Sequence, residues 1–219
     1  MRPASRALGA IGLLFFASGL SRADTPAGAF ASQLDRIKAN PALNELAAMY
    51  ARDQAARDTL VQIHRGLPKA QQGAFMAAGM RRIEQDIDRP NIIALKQLVS
   101  HYGWSDLFAS RQEFSYTVVL VDHAVFDLPF QKRALAAMAP LLPTRAWIKP
   151  DYALLFDKLA RAQHKPQRYG SQIDQCVGGK FAVPDDLEDA AHVDNLRAQM
   201  GLGPIKDYVQ GFNTAMGGC

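Results

Sequence analysis

The chain predicts a mostly α fold: a single-domain, bundle-like array of helices with a small β-hairpin near its C-terminal end. Three observations lead there. Apolar residues recur at helical spacing over most of the sequence after residue 25, and prolines and glycines punctuate these runs at intervals of one helix. Only the segment around Gly178-Gly179 combines turn residues with flanks suited to strands.

Phe30, Leu34 and Ile37 mark a helix ending before Asn40-Pro41. A second runs from Pro41 to Ile63 through Leu43, Leu46, Tyr50 and Leu60, with proline suited to its first turn. A third spans Lys69–Ile87. Pro90 is expected to break it, and Asn91 to cap a fourth helix that carries Ile92, Leu95, Leu98 and Val99 and stops at Gly103. The stretch Phe114–Phe126 contains the β-branched run Thr117-Val118-Val119, yet no turn signal flanks it, and it reads as a buried helix. Phe130–Leu142 is amphipathic and closed by Pro143, and Asp151 is placed to cap a helix reaching Gln163. Gln172–Val177 and Lys180–Val183 are the arms of the hairpin, turned by Gly178-Gly179. Asp186 and Asp189 resemble a capping box, Gly201 ends the helix that follows, and Pro204 opens a last short one.

The N-terminus reads as a secretory signal peptide over residues 1–23. A basic start (Arg2, Arg6) precedes an apolar run from Ala7 to Leu20, and Ser21-Arg22-Ala23 suits cleavage after Ala23. The run is too short to span a membrane as a helix. The expected mature chain is therefore residues 24–219, exported to the periplasm or secreted, with no stable membrane insertion. Removing the leader takes three of the 25 basic side chains, leaving 22 against 21 acidic ones. So even a balance gives no electrostatic footprint for nucleic acid. In an exported chain the two cysteines, Cys176 and Cys219, read as a disulfide joining hairpin to tail, the alternative being two free thiols.

Familiar catalytic signatures are absent. There is no His-Glu-x-x-His, phosphate-binding glycine loop, Gly-x-Ser-x-Gly elbow or Cys-x-x-Cys, and the five histidines show no metal-ligand spacing, so neither a metal nor another cofactor is implied. His123 stands out because Val-Leu-Val-Asp-His-Ala-Val-Phe is apolar. On a helix it shares a side with Tyr116, Val119 and Leu120, which makes it either a hydrogen-bonded core histidine or a histidine at a pocket floor. Asp53 and Arg57, within Asp-Gln-x-x-Arg, have the spacing of an intrahelical ion pair. The densest polar cluster is Gln167-Arg168-Tyr169-Gly170-Ser171-Gln172. It is either a polar turn or a recognition loop in which Arg168 forks onto an anion, Tyr169 stacks or donates, and Gly170 allows close approach.

With that block the sequence resembles an uncharacterised bacterial family of domains of unknown function, DUF6624. The family pattern combines Asp-Gln-x-x-Arg, a His-Gly-Trp corner, a histidine in an apolar helix, and Gln-Arg-Tyr-Gly-Thr-Gln. The counterparts here are Asp53–Arg57, His101–Trp104, Val121–Ala124 and Gln167–Gln172, with the tail Asp189–Arg197 and Gly201-Leu202. Ser171 stands for threonine and keeps the hydroxyl. Tyr102 is inserted in the corner, so no role passes to His101. The resemblance covers about residues 44–210 and implies a shared helical fold and a shared pocket. It carries no activity.

Three functions fit these residues. The first is a binding module for a small anionic ligand or a peptide end near Arg168 and Tyr169, with Gln167, Gln172, Asp53 and Arg57 contributing. The second is a hydrolytic or group-transfer enzyme with His123 as general base. The third is a structural or partner-docking role. The missing activated nucleophile favours the first.

Overall fold

The computed structural model describes residues 25–38 and 46–219. The leader with its cut, and the Asn40-Pro41 boundary with the expected start of the second helix, lie outside them. Most of the rest is helix: α1 (Pro26–Lys38), α2 (Leu46–Arg65), α3 (Lys69–Ile83), α4 (Arg89–Leu107), α5 (Arg111–His123), α6 (Leu128–Met138), α7 (Lys149–Arg161), α8 (Val193–Gln199) and α9 (Ile205–Met216). A two-stranded antiparallel hairpin, β1 (Cys176–Val177) with β2 (Lys180–Phe181), lies between α7 and α8. Gly178 and Gly179 turn it with φ of 59° and 77°, the positive values a two-residue turn requires. Its strands are two residues each, shorter than the expected arms. No helix among the described residues is long and apolar enough to cross a membrane.

Several boundary expectations fail. Pro90 does not separate two helices: α3 passes into α4 through a single π turn, Glu84–Asp88, in which the Arg89 N–H donates to the Glu84 carbonyl. Proline lacks the N–H that an α-helical ladder would use here and crowds the carbonyl four residues back. Widening the preceding turn accommodates it. Asn91 accordingly is no cap. It is buried, and its side chain donates to the Met49 carbonyl. At the other end Gly103 (φ 77°) kinks α4, which then continues to Leu107. Nor do Asp151 or the Asp186–Asp189 pair cap as expected. Ile148 precedes α7, Asp186 bonds to Gln167, and Asp189 accepts from the His192 N–H ahead of α8.

The main core lies among α2, α4, α5, α6 and α7. Met49, Leu95, Phe108, Phe114, Leu120, Val121, Phe130, Met138, Ile148 and Leu155 are all buried there. The helical reading of the Thr117–Val121 run holds, with Ser110 capping α5 by accepting from the Glu113 N–H. A smaller core of Phe30, Ala56, Leu60, Ile83 and Ile87 sits where α1, α2 and α3 meet. C-terminally, Val193, Ile205 and Val209 form a separate cluster. The Cys176–Cys219 disulfide is present, closing hairpin onto tail.

Candidate functional site

Between the two N-terminal cores, three polar side chains lie on helix faces that are otherwise apolar. Asp53 shares the buried face of α2 with Met49, Ala56 and Leu60; Asp88 ends the π turn; His123 is the last residue of α5. The Asp53 carboxylate is fully buried and accepts three side-chain hydrogen bonds. Arg57 donates at 2.5 Å, Gln54 at 2.7 Å, and His123 Nδ1 lies 2.9 Å from Oδ1. Arg57 also forks onto Asp88, with Nη1–Oδ1 at 3.1 Å and Nη2–Oδ2 at 3.0 Å. So the expected ion pair of α2 forms, but as part of a buried network rather than on the surface.

Burial pushes the Asp88 carboxyl above its ordinary range, and the nearby Asp53 charge adds to this. The Arg57 hydrogen bonds and charge, and the charge of His123, act in the opposite direction. A separate polar pair joins α2 to α4. Arg52 Nη2 donates to Asn91 Oδ1 at 2.5 Å, and burial lowers the Arg52 guanidinium.

His123 is the open end of this chain. With Nδ1 held by Asp53, Nε2 has no hydrogen-bond partner among the described residues, and the side chain is 22% exposed. Asp53, Asp88 and His123 each offer an atom within 4.8 Å of the others, a grouping able to surround a cation. The cation already between the two carboxylates is the Arg57 guanidinium, so the arrangement is complete as an organic charge network.

The Gln167–Gln172 block is assembled elsewhere. No hydrogen bond or ion pair among the described residues joins it to Asp53, Arg57 or His123. Its loop wraps around Asp157, a fully buried carboxylate of α7 that accepts from the backbone N–H groups of Arg168 (2.8 Å), Tyr169 (3.1 Å) and Ser171 (2.9 Å). On its other side the buried Arg197 donates to the Tyr169 carbonyl at 2.7 Å and stacks on the Tyr208 ring. One peptide segment is thus held between a buried anion and a buried cation.

Gln167 is buried and pairs through both backbone and side chain with Asp186, Glu188 and Gln172. Tyr169 is buried against Ala153 and Met200. Arg168 points outward, lies over Phe156 and forks onto Glu188 at 2.8 and 3.1 Å, which raises its own pKa and lowers that of Glu188. The donors an anionic ligand would need here are engaged within the fold.

The family model for the family of unknown function DUF6624 matches residues 41–218. The chain belongs to the DUF6624 family. No curated protein and no solved structure matches it. The residues that carried the DUF6624 resemblance now divide by role. Gln167–Gln172 and Asp194–Arg197 lock the C-terminal third, Asp194 by accepting from the Ile205 N–H at the start of α9. Asp53, Gln54, Arg57 and His123 converge on one carboxylate from two helices. Reading the sequence alone missed Asp88 and Asp157, took Asn91 for a helix cap, and gave Arg197 no role beyond its place in the family tail. Both carboxylates were signalled: Asp88 precedes the apolar face of Ile92 and Leu95, and Asp157 sits in register with Ala153 and Ala160. A charged residue in an apolar stripe is a buried group in need of a partner.

Proposed function

We propose that this DUF6624 protein is an exported enzyme of the hydrolytic or group-transfer class, with His123 as its general base and Asp53 as the carboxylate that orients it. The observation that carries this reading is the Asp53–His123 contact. A fully buried carboxylate fixes Nδ1, and the opposite ring nitrogen is left without a protein partner at the surface. Such an arrangement sets the tautomer, aims the basic nitrogen outward and stabilises the imidazolium formed on proton uptake. The nucleophile in this reading is a water or a substrate hydroxyl activated at Nε2. It needs no serine or cysteine, and both cysteines are tied in the disulfide.

Anion capture at Arg168 and Tyr169 has less support, because Asp157, Glu188 and the core take up those groups. Export is inferred from the basic-apolar leader of residues 1–23 together with the disulfide.

The test is a panel of chromogenic carboxylic-ester, phosphoester and glycoside substrates run with wild type, His123→Gln and Asp53→Asn. The expected outcome is turnover that falls at least about a hundredfold in His123→Gln, within the range that general-base catalysis supplies, while the fold is retained. Turnover unchanged by His123→Gln would sink the assignment.

A further inference from the structure

We propose that Asp88 is a positioning residue for this centre: through Arg57 it holds the Asp53 carboxylate against His123, so that the π turn sets both the geometry and the charge seen by the imidazole. This rests on the reading of His123 as base. The chain of contacts is continuous. Asp88 takes both Nη atoms of Arg57, Nη1 of Arg57 is shared with Asp53 Oδ1, and the same Oδ1 meets His123 Nδ1. Three elements contribute: the π turn gives Asp88, α2 gives Arg57 and Asp53, and α5 gives His123.

Asp88 owes its place to the wide turn before Pro90. A π turn rotates the side chains that follow it relative to a regular helix, and single π turns of this kind recur at functional sites. Asp88 is only 5% exposed, and such a carboxylate persists only with a partner.

Charge counting gives the consequence. Two carboxylates and one guanidinium leave a single negative charge facing the ring. Of the other charged groups on the elements around α5, Lys158 of α7 pairs with Asp122 and Lys96 of α4 with Asp127, while Arg52 of α2 donates to the neutral Asn91. Replacing Asp88 by Asn keeps the shape but cancels the net charge. It also frees Arg57 to engage Asp53 alone, in competition with His123. Protonation of the ring then becomes less favourable.

The experiment is an NMR titration of the histidine ring in wild type, Asp88→Asn and Asp53→Asn, followed by the pH profile of any turnover found. In Asp88→Asn the His123 midpoint is expected to fall by at least about half a unit, with the acid limb of the profile moving by the same amount. A midpoint unchanged in folded Asp88→Asn overturns the proposal. Should that variant fail to fold, the wild-type carboxyl carbon of Asp88 serves instead. It must show an inflection at the His123 midpoint, and its absence overturns the proposal equally. The two readings fail separately. Turnover that survives His123→Gln removes the base but leaves the coupled titration, whereas a decoupled titration with His123→Gln inactive removes only Asp88.

Discussion

Three buried carboxylates of this protein each solve the same desolvation problem with different donors. Asp157 is satisfied by backbone N–H groups of one loop, Asp53 by three side chains, and Asp88 by a single forked guanidinium. An ionised carboxylate removed from water costs several kcal/mol unless such donors replace its hydration. Asp151, in the first turn of α7, is the contrast, since it has no hydrogen bond or ion pair among the described residues. Burial, and then the negative charge of Asp122, push its carboxyl above the ordinary range. A folded-state pKa above the unfolded one means that stability is fully present below the unfolded value and is lost as pH rises through the folded value. Asp151→Asn removes that loss. The variant is expected to match wild type below about pH 3.9 and to melt at a higher temperature at neutral pH. Thermal melts of both proteins across this range check it, and an Asn variant less stable at neutral pH would mean that the charge is held favourably by the helix N-terminus.

At the scale of elements, the Lys165–Gln172 loop positions the C-terminal third by close approach as much as by hydrogen bonding. Gly170 adopts φ of 60°, and a Cβ there would lie 2.5 Å from Ile205 Cδ1 and 2.9 Å from Leu187 Cδ2. Gly170→Ala therefore meets left-handed strain and a packing clash together, and is expected to destabilise by about 2–4 kcal/mol. Urea unfolding measures this. A loss below about 0.5 kcal/mol, the range of a neutral surface change, would show that the loop shifts freely. Much of this level was legible in the sequence. The periodicity of α5 outweighed its β-branched run because no turn residues bounded it, and Gly178-Gly179 marked the hairpin. Pro90 misled because a proline reports only a missing donor and a crowded carbonyl, and a helix can answer either by ending or by widening one turn. Which answer it takes depends on what the next residues gain. Here Asp88 gains Arg57 and Asn91 gains Met49 and Arg52, contacts that come from 31 to 42 residues away along the chain and leave no local trace.

On the scale of the whole molecule, the candidate centre lies where α2, the π turn and α5 meet, while the conspicuous polar motif locks a different part of the fold. The sequence showed the residue types of the centre but not their convergence, since Asp53 and His123 are 70 positions apart. Sequence density alone pointed to Gln167–Gln172, where the polar groups serve a buried carboxylate. The C-terminal clasp also bears on where the protein works. Asn213 of α9 exchanges two 2.8 Å hydrogen bonds with the Phe181 backbone, and the Cys219 N–H donates to the Gly179 carbonyl, so the tail is held on the hairpin by more than the disulfide. The bridge then ties ends that are already in place. Closing a separation of 43 residues is worth about 3–4 kcal/mol in the chain-entropy model, and bridges of this kind are kept chiefly in oxidising compartments. Protein recovered from the extracytoplasmic fraction of an expressing bacterium is therefore expected to have an intact mass that starts at Asp24 and is two hydrogens lighter than the dithiol form. Reduction should restore those hydrogens and lower the urea midpoint, while the Asn213–Phe181 contact keeps the helical signal unchanged before unfolding. A chain still beginning at Met1, or one whose cysteines are both alkylated without reduction, would remove export from the reading, and the centre around His123 would then have to be sought in a cytoplasmic reaction.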